Sequence, residues 1–94
     1  PKAEPPSAPD LIDVPSPLLG TFYHAPKPGE APFVGVGAKV EEATIIGIIE
    51  VMKLMNSVRA GVTGEVVEIL AENGAFVEYG ETLLRVRPNG AQHG

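Results

Sequence analysis

Cysteine is absent from this chain. That excludes a disulfide framework and any metal held by thiolates. The only imidazoles are His24 and His93, so a zinc site would need carboxylates to complete it, which points away from a metal. The usual kit for nucleophilic hydrolysis is missing too: there is no thiol, and no serine sits between glycines at a nucleophile elbow. Positive charge is scarce, with 7 Lys and Arg against 12 Asp and Glu and a formal net charge of -5. No Lys/Arg cluster stands out from that background, which argues against nucleic acid and anionic membranes as partners. No run approaches the roughly 20 apolar residues of a membrane span, and no secretory signal opens the chain. Together these absences favour a binding or carrier module over a self-sufficient enzyme.

What is present suffices for one small domain. The 94 residues are 44% apolar, ordinary for a globular protein with a modest core. The chain opens Pro1-Lys2-Ala3 without a methionine, as expected of a segment cut from a longer protein. Six prolines fall within residues 1–17, mixed with alanine and serine. Such a stretch has too few large apolar groups to offset its ordering entropy. Residues 1–10 are therefore expected to be a flexible linker, residues 11–88 the domain, and residues 89–94 a tail.

From Leu18 onward the signals are β: short apolar runs, punctuated by Gly and Pro and rich in β-branched residues, as in Thr44-Ile45-Ile46 and Val66-Val67. Leu11 to Val14 suggests a short edge strand. Leu84-Arg85-Val86-Arg87 alternates, which predicts both arginines on a face opposite Leu84 and Val86, and Pro88 ends the strand. Asn73-Gly74 predicts a tight turn. Glu65 to Leu70 fits a strand or a helix, though Gly61, Gly64 and Asn73-Gly74 leave a helix little room.

The chain also repeats itself. Gly37-Ala38-Lys39-Val40-Glu41 matches Gly74-Ala75-Phe76-Val77-Glu78, and at the same offset Ile46 and Ile49 meet Leu83 and Val86. Pro17 to Phe22 echoes Gly61 to Val66 at an offset larger by seven residues, so the first copy carries an insertion between Gly20 and Gly37. Two duplicated β units bury their apolar faces against each other, as a flattened sandwich or barrel related by a pseudo-two-fold axis.

Thr44 to Met55 is an apolar run broken by Gly47, Glu50 and Lys53. It holds no standard turn signal. By pattern alone it is one long strand or a short buried helix, with Lys53 a solvated residue of either.

Within that run, Glu50-Val51-Met52-Lys53-Leu54-Met55-Asn56 resembles the biotin attachment motif of biotin-dependent carboxylases, which keeps a Glu-Ala-Met-Lys core. Val51 departs from that alanine, and Glu42-Ala43-Thr44 departs from a common Gly-Asp pair. The similarity spans about Ser16 to Arg87. Ser16-Pro17-Leu18-Leu19-Gly20-Thr21-Phe22-Tyr23 is similar to a segment of the carrier family of bacterial and plastid acetyl-CoA carboxylases. The insertion, at about 24–33, matches that family's protruding thumb loop, which biotinyl domains of pyruvate and propionyl carboxylases generally lack.

The resemblance implies an all-β fold, a flattened barrel or sandwich of two four-stranded antiparallel sheets, with Lys53 on a β-hairpin tip bearing covalent biotin. A lysine amine attacks only when deprotonated, so a separate biotin protein ligase has to activate the biotin carboxyl. The resemblance further implies that biotin carboxylase loads a carboxyl group onto the cofactor with ATP. A carboxyltransferase then passes it to acetyl-CoA, giving malonyl-CoA for fatty acid synthesis, in a bacterial cytoplasm or plastid stroma. The cofactor supplies that chemistry and the domain presents it, with no catalytic residue of its own.

From the same likeness Glu50, Met52 and Leu54 are expected as ligase contacts, whereas Met55 reads as an ordinary core methionine. Tyr23, His24, Ala25 and Pro26 are expected near the biotin, although packing explains Tyr23 and His24 equally well. A biotinyl domain of another biotin-dependent carboxylase is one alternative, and two from outside that class stay open. Lipoyl carriers share the fold, but their lysine usually lies between acidic and small residues, not between Met52 and Leu54. An unmodified interaction module built on the same fold is the other.

Overall fold

The computed structural model describes residues 11–88, so the expected linker at 1–10 and tail at 89–94 lie outside the described residues. Eight strands form: β1 (Ile12–Pro15), β2 (Gly20–Tyr23), β3 (Lys39–Val40), β4 (Ile45–Val51), β5 (Leu54–Arg59), β6 (Gly64–Ile69), β7 (Ala75–Val77) and β8 (Thr82–Pro88). They make two four-stranded sheets with orders β1-β8-β6-β3 and β5-β4-β2-β7, and every pairing is antiparallel. Adding or subtracting four from each strand number turns one order into the other. The repeat in the sequence is therefore a pseudo-two-fold axis in space.

Hydrogen bonds obey the same symmetry. The Gly37 N–H donates to the Val66 carbonyl and the Gly74 N–H to the Phe22 carbonyl, each at 2.7 Å. Thr44 N–H donates to Glu41 O, and Glu81 N–H to Glu78 O, each at 3.0 Å. The chain from Phe22 to Gly37 is seven residues longer than its counterpart from Val66 to Gly74, which locates the insertion as the sequence repeat predicts.

Between the sheets lies one core, including Phe22, Ile46 and Ile49 from the first repeat and Val66, Leu83, Leu84 and Val86 from the second. The ambiguous stretch from Glu65 is strand β6, alternately buried and open at its start. The edge strand expected near Leu11 is β1, paired to β8 with Val14 opposite Leu84.

The alternation expected of β8 is kept, with Leu84 and Val86 toward the core and Arg85 beside the outward-facing Asp13 and Glu68, but the two arginines differ in exposure. Arg87 is exposed, but Arg85 is 3% exposed. β8 is an inner strand, so Arg85 is flanked by Asp13 of β1 and Glu68 of β6 in register. Its Nε donates to Asp13 Oδ1 at 2.9 Å and its Nη1 to Glu68 Oε1 at 3.0 Å. Those carboxylates hold the guanidinium pKa above its ordinary value, outweighing the desolvation that would lower it. A charge can be covered here because both neighbours satisfy it.

Candidate functional site

The exposed β4–β5 hairpin carries the motif. Val51 pairs with Leu54, leaving Met52 and Lys53 as a two-residue loop. Both have positive φ, 53° and 70°, the pattern of a type I′ turn. Such turns favour Asn and Gly, because a Cβ crowds the backbone in the left-handed region. Here a methionine and a lysine occupy it instead, and they are the chain's only described non-glycine residues with positive φ. The turn is strained, and neighbours enforce it. Asn56 helps: its Nδ2 donates to Ile49 O at 3.2 Å and to Leu54 O at 3.3 Å, tying β5 to β4 just below the tip. Met52→Asn is accordingly expected to stabilise the domain by about 0.5–1 kcal/mol. A denaturant midpoint equal to or below wild type would show that the turn holds no strain.

Exposure follows from the turn. Met52 is 89% exposed and Leu54 69%, and Lys53 is exposed between them. The expectation that Met55 fills the core is wrong, since it is 54% exposed. With Val58 of β5 facing the core, the two-residue alternation sends Met55 to the outer face, where it pairs with Glu50 across the sheet. Glu50 lies on that face too, half-buried, accepting a hydrogen bond from the Tyr23 hydroxyl at 3.3 Å. Partial burial, then the Glu50 carboxylate's charge and hydrogen bond, raise the Tyr23 pKa above its ordinary value, so the hydroxyl keeps its proton.

The insertion between β2 and β3 folds back beside this face. Its neck closes where the Phe33 N–H donates to the His24 carbonyl at 2.7 Å. Between thumb and sheet runs a groove of about 520 Å³, within the usual range of small-molecule sites. Tyr23, His24, Ala25 and Pro26 all line it, with Glu50, Met55 and Asn73 on other walls. Met52, Lys53 and Leu54 stand outside it, at the turn. The four residues expected near a biotin thus share one groove, while Lys53 projects from the adjoining tip. Sequence reasoning missed Asn56 and Asn73. Asn73-Gly74 signalled a turn, but nothing local indicated that the Asn73 side chain reaches His24, 49 residues away, whose N–H it accepts at 2.8 Å.

Comparison with known proteins now decides the family. The profile of the biotin-requiring enzymes, which covers biotin and lipoyl attachment domains, matches residues 12–86. The chain belongs to that family. Among relatives, it is 52% identical over 79 residues to a biotin carboxyl carrier protein of acetyl-CoA carboxylase from Nostoc, covering 84% of this chain and 43% of the relative. A chloroplastic carrier protein of acetyl-CoA carboxylase from Arabidopsis thaliana is 47% identical over 78 residues, covering 83% of this chain and 28% of that protein. The chain thus spans less than half the length of either. In three dimensions it is similar to a single-chain, multi-domain long-chain acyl-CoA carboxylase (TM-score 0.75, 20% identity, 92% of this chain and 8% of the other), a likeness of fold. The urea carboxylase of Kluyveromyces lactis gives a TM-score of 0.72 at 30% identity, over 90% of this chain and 7% of that one. In this family member the residues fit a covalent cofactor: a primary amine on an exposed, enforced turn, beside a groove of ligand size.

Proposed function

We propose that this chain is the carrier domain of an acetyl-CoA carboxylase, bearing biotin on Lys53 as an amide. The observation that carries the reading is the type I′ turn, which projects Lys53 between two exposed apolar residues. On attachment, Lys53 Nζ attacks the activated biotin carboxyl, the amide forms, the activating group leaves, and the lysine charge is lost. Bound biotin supplies a ureido nitrogen able to carry a carboxyl group. The chain's own residues present that arm: β4 and β5 fix the tip, and Glu50, Met52 and Leu54 offer the ligase a mixed acidic and apolar surface. A biotin carboxylase and a carboxyltransferase are the partners this reading requires, in a bacterial cytoplasm or plastid stroma. Identity to carrier proteins of acetyl-CoA carboxylase supports the choice among carboxylases, as does the thumb.

Intact mass tests it. With biotin, ATP and a biotin protein ligase, the chain is expected to gain one biotinyl group. Uptake of lipoate from a lipoate ligase under matched conditions, or no uptake at all, would refute the assignment.

The thumb contributes to delivery and little to stability, because residues 26–32 are exposed. Since His24 O and Phe33 N–H are already hydrogen-bonded, Asn-Gly can replace residues 25–32 and close the neck as an ordinary two-residue β-turn. That variant should unfold within about 1 kcal/mol of wild type yet transfer carboxyl groups more slowly in a reconstituted carboxylase. Global unfolding, or unchanged turnover, would contradict this role.

A further inference from the structure

We propose that His24 and Asn73 are positioning residues, a clamp that fixes the thumb's root to the β6–β7 connection and so sets the groove beside the acceptor turn. The clamp stands on geometry alone, while its consequence for carboxyl delivery rests on the carrier reading above.

His24 makes three hydrogen bonds from one position. Its backbone N–H donates to Asn73 Oδ1 at 2.8 Å, and its carbonyl accepts the Phe33 N–H at 2.7 Å. Its ring Nε2 lies 2.6 Å from the Ala71 carbonyl oxygen. A carbonyl can only accept, so the imidazole carries a proton on Nε2. The ring also meets buried Phe22 edge-on, with centroids 5.3 Å apart and planes at 68°.

The body side of the clamp is firm. Ala71 and Phe22 are buried, and the Gly74 N–H bonds the Phe22 carbonyl at 2.7 Å, pressing the Asn73 loop onto β2. The thumb side is not firm by itself. Its other hydrogen bond, Glu30 N–H to Lys27 O at 3.1 Å, lies inside the loop. Among the described residues, every hydrogen bond tying residues 24–33 to the rest of the domain passes through His24. A loop exposed over 26–32 and hydrogen-bonded to the body at one residue opens more readily when those bonds are lost.

The experiment compares His24→Phe, which keeps the ring contact but loses the Nε2–H donor, with His24→Gln, which keeps a side-chain N–H. Asn73→Ala removes the other half. Amide exchange at Phe33 should quicken by about three- to tenfold in His24→Phe and in Asn73→Ala, the effect of losing one net hydrogen bond. Exchange at the core amide of Ile49 should stay as in wild type, and His24→Gln should recover most of the protection. Turnover per biotinylated chain, with biotin carboxylase and carboxyltransferase, should fall by a similar factor in His24→Phe and return in His24→Gln. Unchanged exchange at Phe33 would overturn the clamp. Equal acceleration at Ile49 would do the same, because the residues would then serve the whole fold. A loosened thumb with undiminished turnover would remove the positioning role. Wild type that takes up no biotin would strike the carrier reading instead, and the exchange measurement would still decide the clamp.

Discussion

Lys53→Arg is expected to come out of incubation with biotin, ATP and biotin protein ligase at its starting mass, while the wild type gains one biotinyl group. The loss is complete because the chemistry requires a neutral amine. Guanidinium keeps its proton in water and its nitrogens share a delocalised cation, so arginine is a very poor nucleophile despite its similar length and charge. The fold should not respond: Lys53 is exposed at the turn and arginine meets the same left-handed backbone demand at φ 70°. The other lysines do not substitute. Lys27 lies in the thumb and Lys39 in β3 opposite Glu65, neither on a two-residue turn between apolar neighbours, and Lys2 is outside the described residues. Mass spectrometry reads the result directly. A biotinyl group on the Lys53→Arg chain at limiting ligase would refute the site.

The second large effect concerns stability. Gly64 opens β6, and a Cβ there would run into the Arg87 carbonyl oxygen inside van der Waals contact, with Arg87 C and Val86 Cγ1 each 2.8 Å away. Two of those three atoms belong to a backbone inside the β6–β8 ladder, so they cannot swing aside. Gly64→Ala should therefore cost about 3 kcal/mol, at the upper end of overpacking, which lowers the melting temperature of a domain this size by roughly 12–24 °C. Gly64→Val should leave little folded protein. Gly35→Ala is the control: a Cβ there meets nothing within 4 Å, so its cost should stay within about 0.5 kcal/mol. Circular dichroism melts of the three variants test the pair. A Gly64→Ala midpoint near wild type would mean that β6 and β8 do not approach this closely. A Cβ on the pseudo-two-fold mate, Gly20, would meet Glu50 O at 2.5 Å and Ile49 Cγ2 at 2.8 Å, and Gly20→Ala should behave alike.

These two sites differ in how they could be read. Gly20 and Gly64 are aligned by the internal repeat, so their equivalence is legible in the chain, but the obstacle each would meet belongs to a strand distant in sequence. Lys53 is recognisable through its motif. Its turn is not, because a type I′ loop announces itself by Asn and Gly, and Met52-Lys53 offers neither. Local propensity pointed to one long strand or a buried helix across Thr44 to Met55, and the pairing of Ile45–Val51 with Leu54–Arg59 overrode it. That conflict falls at the proposed point of attachment, where local strain is commonly kept for function.

By itself the sequence determined the β class, the duplicated unit, and the place and length of the insertion. All three rest on patterns written along the chain: two-residue alternation, glycine punctuation and self-similarity at a fixed offset. Only the tertiary structure decided the rest. Arg85 is buried because β8 became an inner strand between Asp13 and Glu68. Met55 is exposed because the hairpin register turned it away from Val58's side of the sheet. His24 and Asn73 meet because β2 and β7, one from each repeat, pair antiparallel in one sheet and bring residues 49 apart into hydrogen-bond range just beyond the Phe22–Ala75 pair. Each of these outcomes depends on which strand lies beside which. That choice is made by burying one shared core between two sheets, a sum over the whole domain that no short stretch of sequence contains.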